Sequence, residues 1–248
     1  MDIEKTIDLK ELKALGTELK RFMMAYKFGL DEMNTKINIL KEEFSYIHDY
    51  NPIEHVKSRI KSPESILKKI YKKNIDVSLP SIKENIKDIA GIRITCSFIS
   101  DIYSLSSMLE KQKDVQIIEI KDYIKHPKPN GYQSLHMIVE IPVFMSDREE
   151  RIYVEIQIRT IAMDFWASLE HKIFYKYNRE APEGLLAELK DAASIGAELD
   201  RKMERLHKEI NALKQEDESN ADLYFINEDI KKQFFIPKNG TQITISGS

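Results

Sequence analysis

From about Asp8 to Ile47 the apolar residues Leu12, Leu15, Leu19, Phe22, Tyr26, Leu30, Met33, Ile37, Leu40, Phe44 and Ile47 recur at steps of three and four. That spacing predicts a helical region, with Gly29 read as a break between two helices. Near the other end, Leu185, Leu189, Ala192, Gly196, Leu199, Met203, Leu206, Ile210 and Leu213 alternate steps of four and three, a coiled-coil-like seam. Such a seam needs a partner, either the N-terminal stripe or a second copy of the chain. The middle follows a different period. Ile92, Ile94, Cys96 and Phe98 alternate with Arg93, Thr95 and Ser97, as in a half-buried strand. Ser100-Asp101 is read as the cap of a helix carrying Ile102, Leu105, Met108 and Leu109, followed by a strand near Val115–Ile120, which together suggest a βαβ unit. Two further strands place Leu135, Met137, Val139, Ile141 and Val143, then Ile152, Val154, Ile156 and Ile158, on one face. Thr160 is read as the cap of a last core helix whose stripe is Ile161, Phe165, Trp166, Leu169 and Ile173.

These elements predict an α+β fold: a mixed β-sheet of about five strands backed by helices, with long N- and C-terminal helices flanking the core. The expected organisation is a helical region over 1–50, an α/β core over 51–180, a coiled-coil-like helix over 181–215 and an appendage over 216–248. No run approaches the roughly 18 apolar residues of a membrane helix, and the N-terminus lacks a signal-peptide core, so a cytoplasmic location is expected. The single Cys96 has no cysteine to pair with and is expected to be a small buried apolar residue. No spacing of the six His residues suggests a His-ligated transition metal.

Charge changes the picture locally. The chain carries a formal charge of -3, yet Lys57, Arg59, Lys61, Lys68, Lys69, Lys72 and Lys73 crowd one short segment against a single acid, Glu64. Ser62-Pro63-Glu64 reads as a helix cap, a proline at the first helical position and an acid in the first turn. Ser65, Lys68, Lys69 and Lys72 then share one arc of that helix, and Ile66, Leu67 and Ile70 face the other way. Arg59 and Lys61 approach the helix start, where unpaired backbone N–H groups also favour an anion. A polyphosphate fits this pattern; a solvated lysine face is the plainer alternative.

Strand alternation sends Arg93, His136, Glu155, Gln157 and Arg159 to the face opposite the core. Asp88 lies just before the first of these strands, beside Gly91, which is read as permitting a close turn. Asp88 and Glu155 could share one divalent ion, and Mg2+ takes few carboxylates together with substrate phosphates. Tyr132 lies in the turn-rich loop between them. Singly, Asp88 could cap a turn, Glu155 and Arg159 could form a surface ion pair, and Tyr132 could cover core. Together they suggest a magnesium-dependent enzyme acting on nucleotide phosphates.

Five segments carry a family resemblance: Arg59-Ile60-Lys61 with Ser65-Ile66 and Lys69; Asp88 to Arg93; Lys128 to His136; Val154 to Thr160; and Ala162 to Tyr177. In order and spacing they resemble the small alarmone synthetases, single-domain members of the RelA/SpoT homologue superfamily. The resemblance implies a GTP pyrophosphokinase that moves the β,γ-diphosphate of ATP to the 3′-hydroxyl of GTP or GDP, releasing AMP and forming (p)ppGpp for the stringent response. It implies that Arg59, Lys61, Ser65, Lys69 and Arg93 hold ATP. Asp88 and Glu155 would bind Mg2+, with Glu155 also placed to take the proton of the attacking hydroxyl. Tyr132 would stack on guanine, His136, Lys125 and Lys128 would meet the acceptor phosphates, and Gln157 and Asp164 would contact the acceptor nucleotide.

By the same resemblance the expected assembly is a homotetramer through the flanking helices, with no stable nucleic-acid partner. The segment ahead of the basic run is too short for the hydrolase domain of long family members, so synthesis without hydrolysis is expected and His48-Asp49 is read as an accidental pair on a helix end. Gln133, where some relatives have Arg, and Asp164, where others have Asn, leave GTP against GDP preference and allosteric control open. Two rival readings stand beside this one: a catalytically silent RNA- or ribosome-binding module, and a scaffold acting only through its helices.

Overall fold

In a computed structural model, which describes residues 9–47, 50–174 and 182–220, the alternating segments form one five-stranded sheet. The elements run α1 (Leu9–Ile47), β1 (Ile53–Ile60), α2 (Pro63–Lys73), α3 (Leu79–Asn85), β2 (Ala90–Cys96), α4 (Ile99–Glu110), β3 (Gln116–Asp122), β4 (Leu135–Phe144), β5 (Glu149–Thr160), α5 (Ile161–Phe174) and α6 (Glu183–Asn220). His48-Asp49, the end of the Ala162–Tyr177 segment and residues 221–248 lie outside the described residues.

The strand order is β1-β2-β5-β4-β3, with β2 and β5 parallel and the other neighbours antiparallel. The predicted β2-α4-β3 unit is present, but its crossover passes over β5 and β4, so β2 and β3 are not neighbours. Leu135, Met137, Val139, Ile141 and Val143 of β4 and Ile152, Val154, Ile156 and Ile158 of β5 are buried, as their alternation requires. Cys96 is buried among them. α1 and α4 bury Tyr26, Met33, Ile37, Ile102, Leu105 and Leu109 in the same core, leaving the opposite sheet surface open for chemistry.

The two units of the chain are Met1–Glu204 and Arg205–Ser248, a division that falls within α6. In the second unit the described part is helical, with Leu206, Ile210 and Leu213 exposed and an Arg205–Glu209 ion pair along it.

Several expectations need correction. α1 is continuous through Gly29. A Cβ at Gly29 would lie 2.7 Å from Ile152 Cγ2, so this glycine permits close helix–sheet approach and is no break. α4 starts at Ile99, and Asp101, three residues inside, accepts the Phe98 N–H at 3.0 Å; Ser100-Asp101 is therefore not the cap itself. Thr160 does cap α5, accepting the Met163 N–H at 3.1 Å, but α5 turns Met163 and Trp166 inward and leaves Ile161, Phe165, Leu169 and Ile173 exposed. In α2 only Ile66 and Ile70 are buried, and Leu67 is exposed.

The seam of α6 also faces outward: Leu185, Leu199 and Met203 are exposed, whereas Ala197 and Asp200 are buried. The middle of the N-terminal stripe is used elsewhere, because α1 buries Ala25, Tyr26, Leu30, Met33 and Ile37 in the sheet core, while Leu15 and Leu19 are exposed. The inward side of α6 is small. A Cβ on Gly131, at φ +90°, would lie 2.5 Å from Ala193 Cβ, which draws the 123–134 loop close to α6.

Candidate active site

The basic run divides between two elements. Lys57 and Arg59 lie on β1, a fifth strand that the hydrophobic alternation does not mark, and Lys68, Lys69, Lys72 and Lys73 lie on α2. Ser62 caps α2 as predicted, its Oγ accepting the Ser65 N–H at 3.3 Å, with Pro63 at the first helical position and Asn74 ending the helix in the left-handed conformation at φ 52°. The backbone N–H of Lys61 donates to Ile89 O at 2.8 Å, which ties the end of β1 to the approach to β2. Across that junction Lys61 and Lys69 both pair with Asp88, Lys69 Nζ at 2.7 Å from Oδ2.

Sheet register arranges the rest. Antiparallel β1-β2 and parallel β2-β5 pairing place Arg59, Gly91 and Glu155 in one cross-strand row. The adjacent row runs Lys57, Arg93, Gln157, His136 and Lys121 across all five strands. Between these rows lies a cleft of about 220 Å³ lined by Lys57, Arg59, Gly91, Arg93, Glu155 and Gln157. Gly91 is inside β2 and has no positive φ, so the expected close turn is replaced by another role. A Cβ there would meet Arg59 at 3.9 Å and the Glu155 carbonyl oxygen at 4.0 Å. Hydrogen at this position keeps the floor of the cleft low.

On the other side of Glu155 the loop before β4 delivers Tyr132. Its hydroxyl lies 2.7 Å from His136 Nε2 and accepts from Arg159 Nη2 at 2.6 Å. His136 Nδ1 lies 3.5 Å from Glu155 Oε1, and Gln157 Nε2 donates to Glu155 Oε2 at 3.0 Å. Lys128 Nζ sits 4.8 Å from the centre of the Tyr132 ring and 4.6 Å from that of Tyr123. Asp164, in the first turn of α5, is 3.2 Å from Arg159 Nη1 and 3.4 Å from Arg93 Nη1.

The electrostatics follow from burial and partners. Burial would raise the Asp88 carboxyl, but hydrogen bonds and charge from Lys61 and Lys69 outweigh it and hold Asp88 below the usual carboxylate range. Glu155 is likewise pushed up by burial and brought below that range chiefly by His136, while the charge of Asp88 acts in the opposite direction. Burial, and then the neighbouring Arg159, lowers the Arg93 guanidinium, with Asp164 offsetting part of the effect.

Asp88 and Glu155 fit a divalent cation. Asp88 Oδ1 is buried without a hydrogen-bond partner, and Asp88 lies two residues before Ala90, which pairs with Val154 next to Glu155. Among the described residues no cluster of three or more His, Cys, Asp or Glu side chains could hold a metal. Two carboxylates with room for phosphate oxygens suit Mg2+, which dehydrates reluctantly and favours substrate phosphates as ligands.

Most of the residues singled out from the sequence therefore meet around one surface: Arg59, Lys61, Lys69, Asp88 and Arg93 on one side, Glu155 and Gln157 in the middle, and Tyr132, His136, Lys128 and Asp164 on the other. Ser65 occupies the exposed first turn of α2. Lys125 instead lies 3.6 Å from Asp122 and over the Tyr103 ring. The supposed Glu155–Arg159 surface pair does not form: Glu155 faces His136 and Gln157, and the Arg159 side chain, 4% exposed, is bound to Tyr132, Gln157 and Asp164. Arg159 and the cleft residue Lys57 were not among the site residues expected from the sequence. The presence of Asp164 five residues beyond Arg159 was the available signal, since a helix folding back after β5 can cover that strand's last outward side chain.

Residues 58–180 match the family described as the region found in RelA / SpoT proteins. The chain is 51% identical over 211 residues to the GTP pyrophosphokinase YwaC of Bacillus subtilis (strain 168), covering 85% of this chain and all of that protein. In three dimensions it is similar to the small alarmone synthetase 2 of Bacillus subtilis, with a TM-score of 0.71 and 52% identity over 77% of this chain and 99% of that one. It is also similar to the small alarmone synthetase 1 of Bacillus subtilis bound to its product pppGpp, with a TM-score of 0.72 and 36% identity over 78% of this chain and 98% of the other.

Proposed function

The chain belongs to the RelA/SpoT family and is a GTP pyrophosphokinase of the small alarmone synthetase type, and on that premise we propose how its residues make (p)ppGpp. The β,γ-diphosphate of ATP passes to the 3′-hydroxyl of GTP or GDP, and AMP leaves. One observation carries the assignment of sides. Lys61, just after β1, and Lys69 of α2 converge on Asp88 at the approach to β2, and β2 pairs with β5 at Glu155, whose other neighbours lead to Tyr132.

Arg59 and Arg93 offer guanidinium planes for the adenine of ATP, while Lys61, Lys69 and the Ser65 end of α2 hold its phosphates. Tyr132 presents a ring for guanine; a base stacking there would displace Lys128 toward the acceptor phosphates, which His136 also meets. Lys125 would join them only by leaving Asp122 and the Tyr103 ring. Gln157 and Asp164 border the acceptor ribose and base. With the 3′-hydroxyl beside Glu155, this carboxylate orients the nucleophile and takes its proton. The cations stabilise the charge that spreads over the phosphoryl oxygens. Asp88 and Glu155 would hold Mg2+, which supplies charge neutralisation at the bridging phosphates when bound.

The exposed seam of α6 supports self-association, and a homotetramer built through the flanking helices is the proposed assembly. Among the described residues no helix is long and apolar enough to cross a membrane. The proposed setting is the cytoplasm, and the proposed physiological role is the stringent response. A silent RNA-binding module is disfavoured because Asp88, Glu155 and Tyr132 are all present and grouped.

Incubating the protein with ATP labelled in the adenine, GTP or GDP, and Mg2+ tests the reading. AMP and a guanosine penta- or tetraphosphate should accumulate together. Production of ADP without a new guanosine nucleotide would overturn it.

A further inference from the structure

We propose that Arg159 is a positioning residue that aims Glu155 through two arms, one that runs through Tyr132 and fixes the tautomer of His136 beside the carboxylate, and one that orients Gln157 to hydrogen-bond it. The inference rests on the pyrophosphokinase reading above.

A guanidinium has donors and no acceptor, so direction is imposed wherever Arg159 bonds. Its Nη2 donates to Tyr132 Oη at 2.6 Å and to Gln157 Oε1 at 2.8 Å. Because the Tyr132 oxygen accepts from Arg159, its own proton is free to point at His136 Nε2, 2.7 Å away. With that proton directed at Nε2, the ring hydrogen sits on Nδ1, the atom 3.5 Å from Glu155 Oε1. In the second arm, Gln157 accepts through Oε1 and therefore turns its NH2 toward Glu155 Oε2, at 3.0 Å. Both chains begin at one buried cation; one ends in the Gln157 hydrogen bond to Glu155 Oε2, the other in the approach of His136 Nδ1 to Oε1.

Arg159 is itself held. Asp164 accepts from its Nη1 at 3.2 Å, and the Tyr132 ring lies 5.1 Å from its guanidinium carbon. The same tyrosine that offers its face to the acceptor base thus carries, at its hydroxyl, one link of the chain to Glu155. Seating the base and aiming the carboxylate become one event. Lysine at 159 would keep the charge but not the planar fork, and phenylalanine at 132 would keep the stacking face but cut one arm.

The test combines kinetics of wild type, Arg159→Lys, Tyr132→Phe and the double variant with ¹⁵N NMR of the His136 ring. Arg159→Lys is expected to lower kcat by about 100-fold, the scale of a small misplacement of reacting groups, and to leave KM for ATP unchanged. The double variant should lose less than the product of the single losses, since both changes cut the same arm. His136 should carry its hydrogen on Nδ1 in the wild type and shift toward Nε2 in both single variants. Wild-type kcat in Arg159→Lys, multiplicative losses, or an unchanged tautomer would each overturn the inference. If Arg159→Lys does not fold, the tautomer in Tyr132→Phe decides. Wild-type protein that makes no product would sink the functional reading instead, which keeps the two failures apart.

Discussion

Lys69, on the second turn of α2, places its ammonium 2.7 Å from Asp88 Oδ2, so the helix that gathers positive charge is fastened to the acid that precedes β2. Lys61 meets the same oxygen from the end of β1. Beyond this junction β1, β2 and β5 carry the cleft lined by Arg59, Gly91 and Glu155.

Replacing Glu155 with Gln removes the charge and the proton acceptor while keeping the size of the side chain. Turnover should fall by about 100- to 10,000-fold, the usual range for a positioned acid or base. Near-normal kcat in a steady-state assay of AMP release would remove Glu155 from the chemistry.

Gly91 separates folding from activity. A Cβ at this position meets neighbours only at ordinary contact distances, and a β-branched residue suits a strand, so Gly91→Val should melt at or above the wild-type temperature. The same side chain fills the cleft between Arg59 and Glu155. kcat/KM for ATP should drop by at least about tenfold, and an unaltered value would mean the donor does not use this space.

How much of this was legible in the sequence depends on what each signal measures. The alternation of β2, β4 and β5 was plain because a period of two survives wherever one face is buried. β1 was missed because a register shift between Ile53 and His55 breaks its alternation, leaving Ile53 and Val56 three apart as on a helix. The apolar seam of α6 was visible, but its inward side is Ala193, Ala197 and Asp200, residues too small or too polar to register as core. The burial of Arg159 depends on α5 folding over the end of β5, a tertiary event with no local period.

Asp200 supplies a pH-dependent prediction. Burial raises its carboxyl above the ordinary value, with Glu204 adding and the Thr160 hydroxyl, which donates to it at 2.5 Å, together with Arg201 subtracting. A folded-state pKa above the unfolded one means that stability is present at low pH and is lost as pH rises through the folded value. At neutral pH the ionised Asp200 therefore weakens the fold. Asp200→Asn keeps an acceptor for Thr160 and should raise the melting temperature by a few degrees at pH 7, with the difference shrinking as the pH falls into the carboxylate range. A lower melting temperature at pH 7 would contradict this assignment.

The exposed seam predicts assembly. Leu199 and Leu206 are 53% and 43% exposed in the single chain, and a charge at each position opposes burial against another copy. Leu199→Asp with Leu206→Asp should convert the proposed tetramer to smaller species in sedimentation velocity. An unchanged sedimentation coefficient would place the contact elsewhere.

The central claim is that donor and acceptor share the surface between α2 and Tyr132, and a crystal structure with a non-hydrolysable ATP analogue, GTP and Mg2+ tests it most directly. The account predicts the triphosphate between Lys61, Lys69 and Asp88, guanine on Tyr132, and the 3′-hydroxyl facing Glu155 in line with the β-phosphorus. Two nucleotides in separate clefts, or an acceptor whose ribose points away from Glu155, would contradict it.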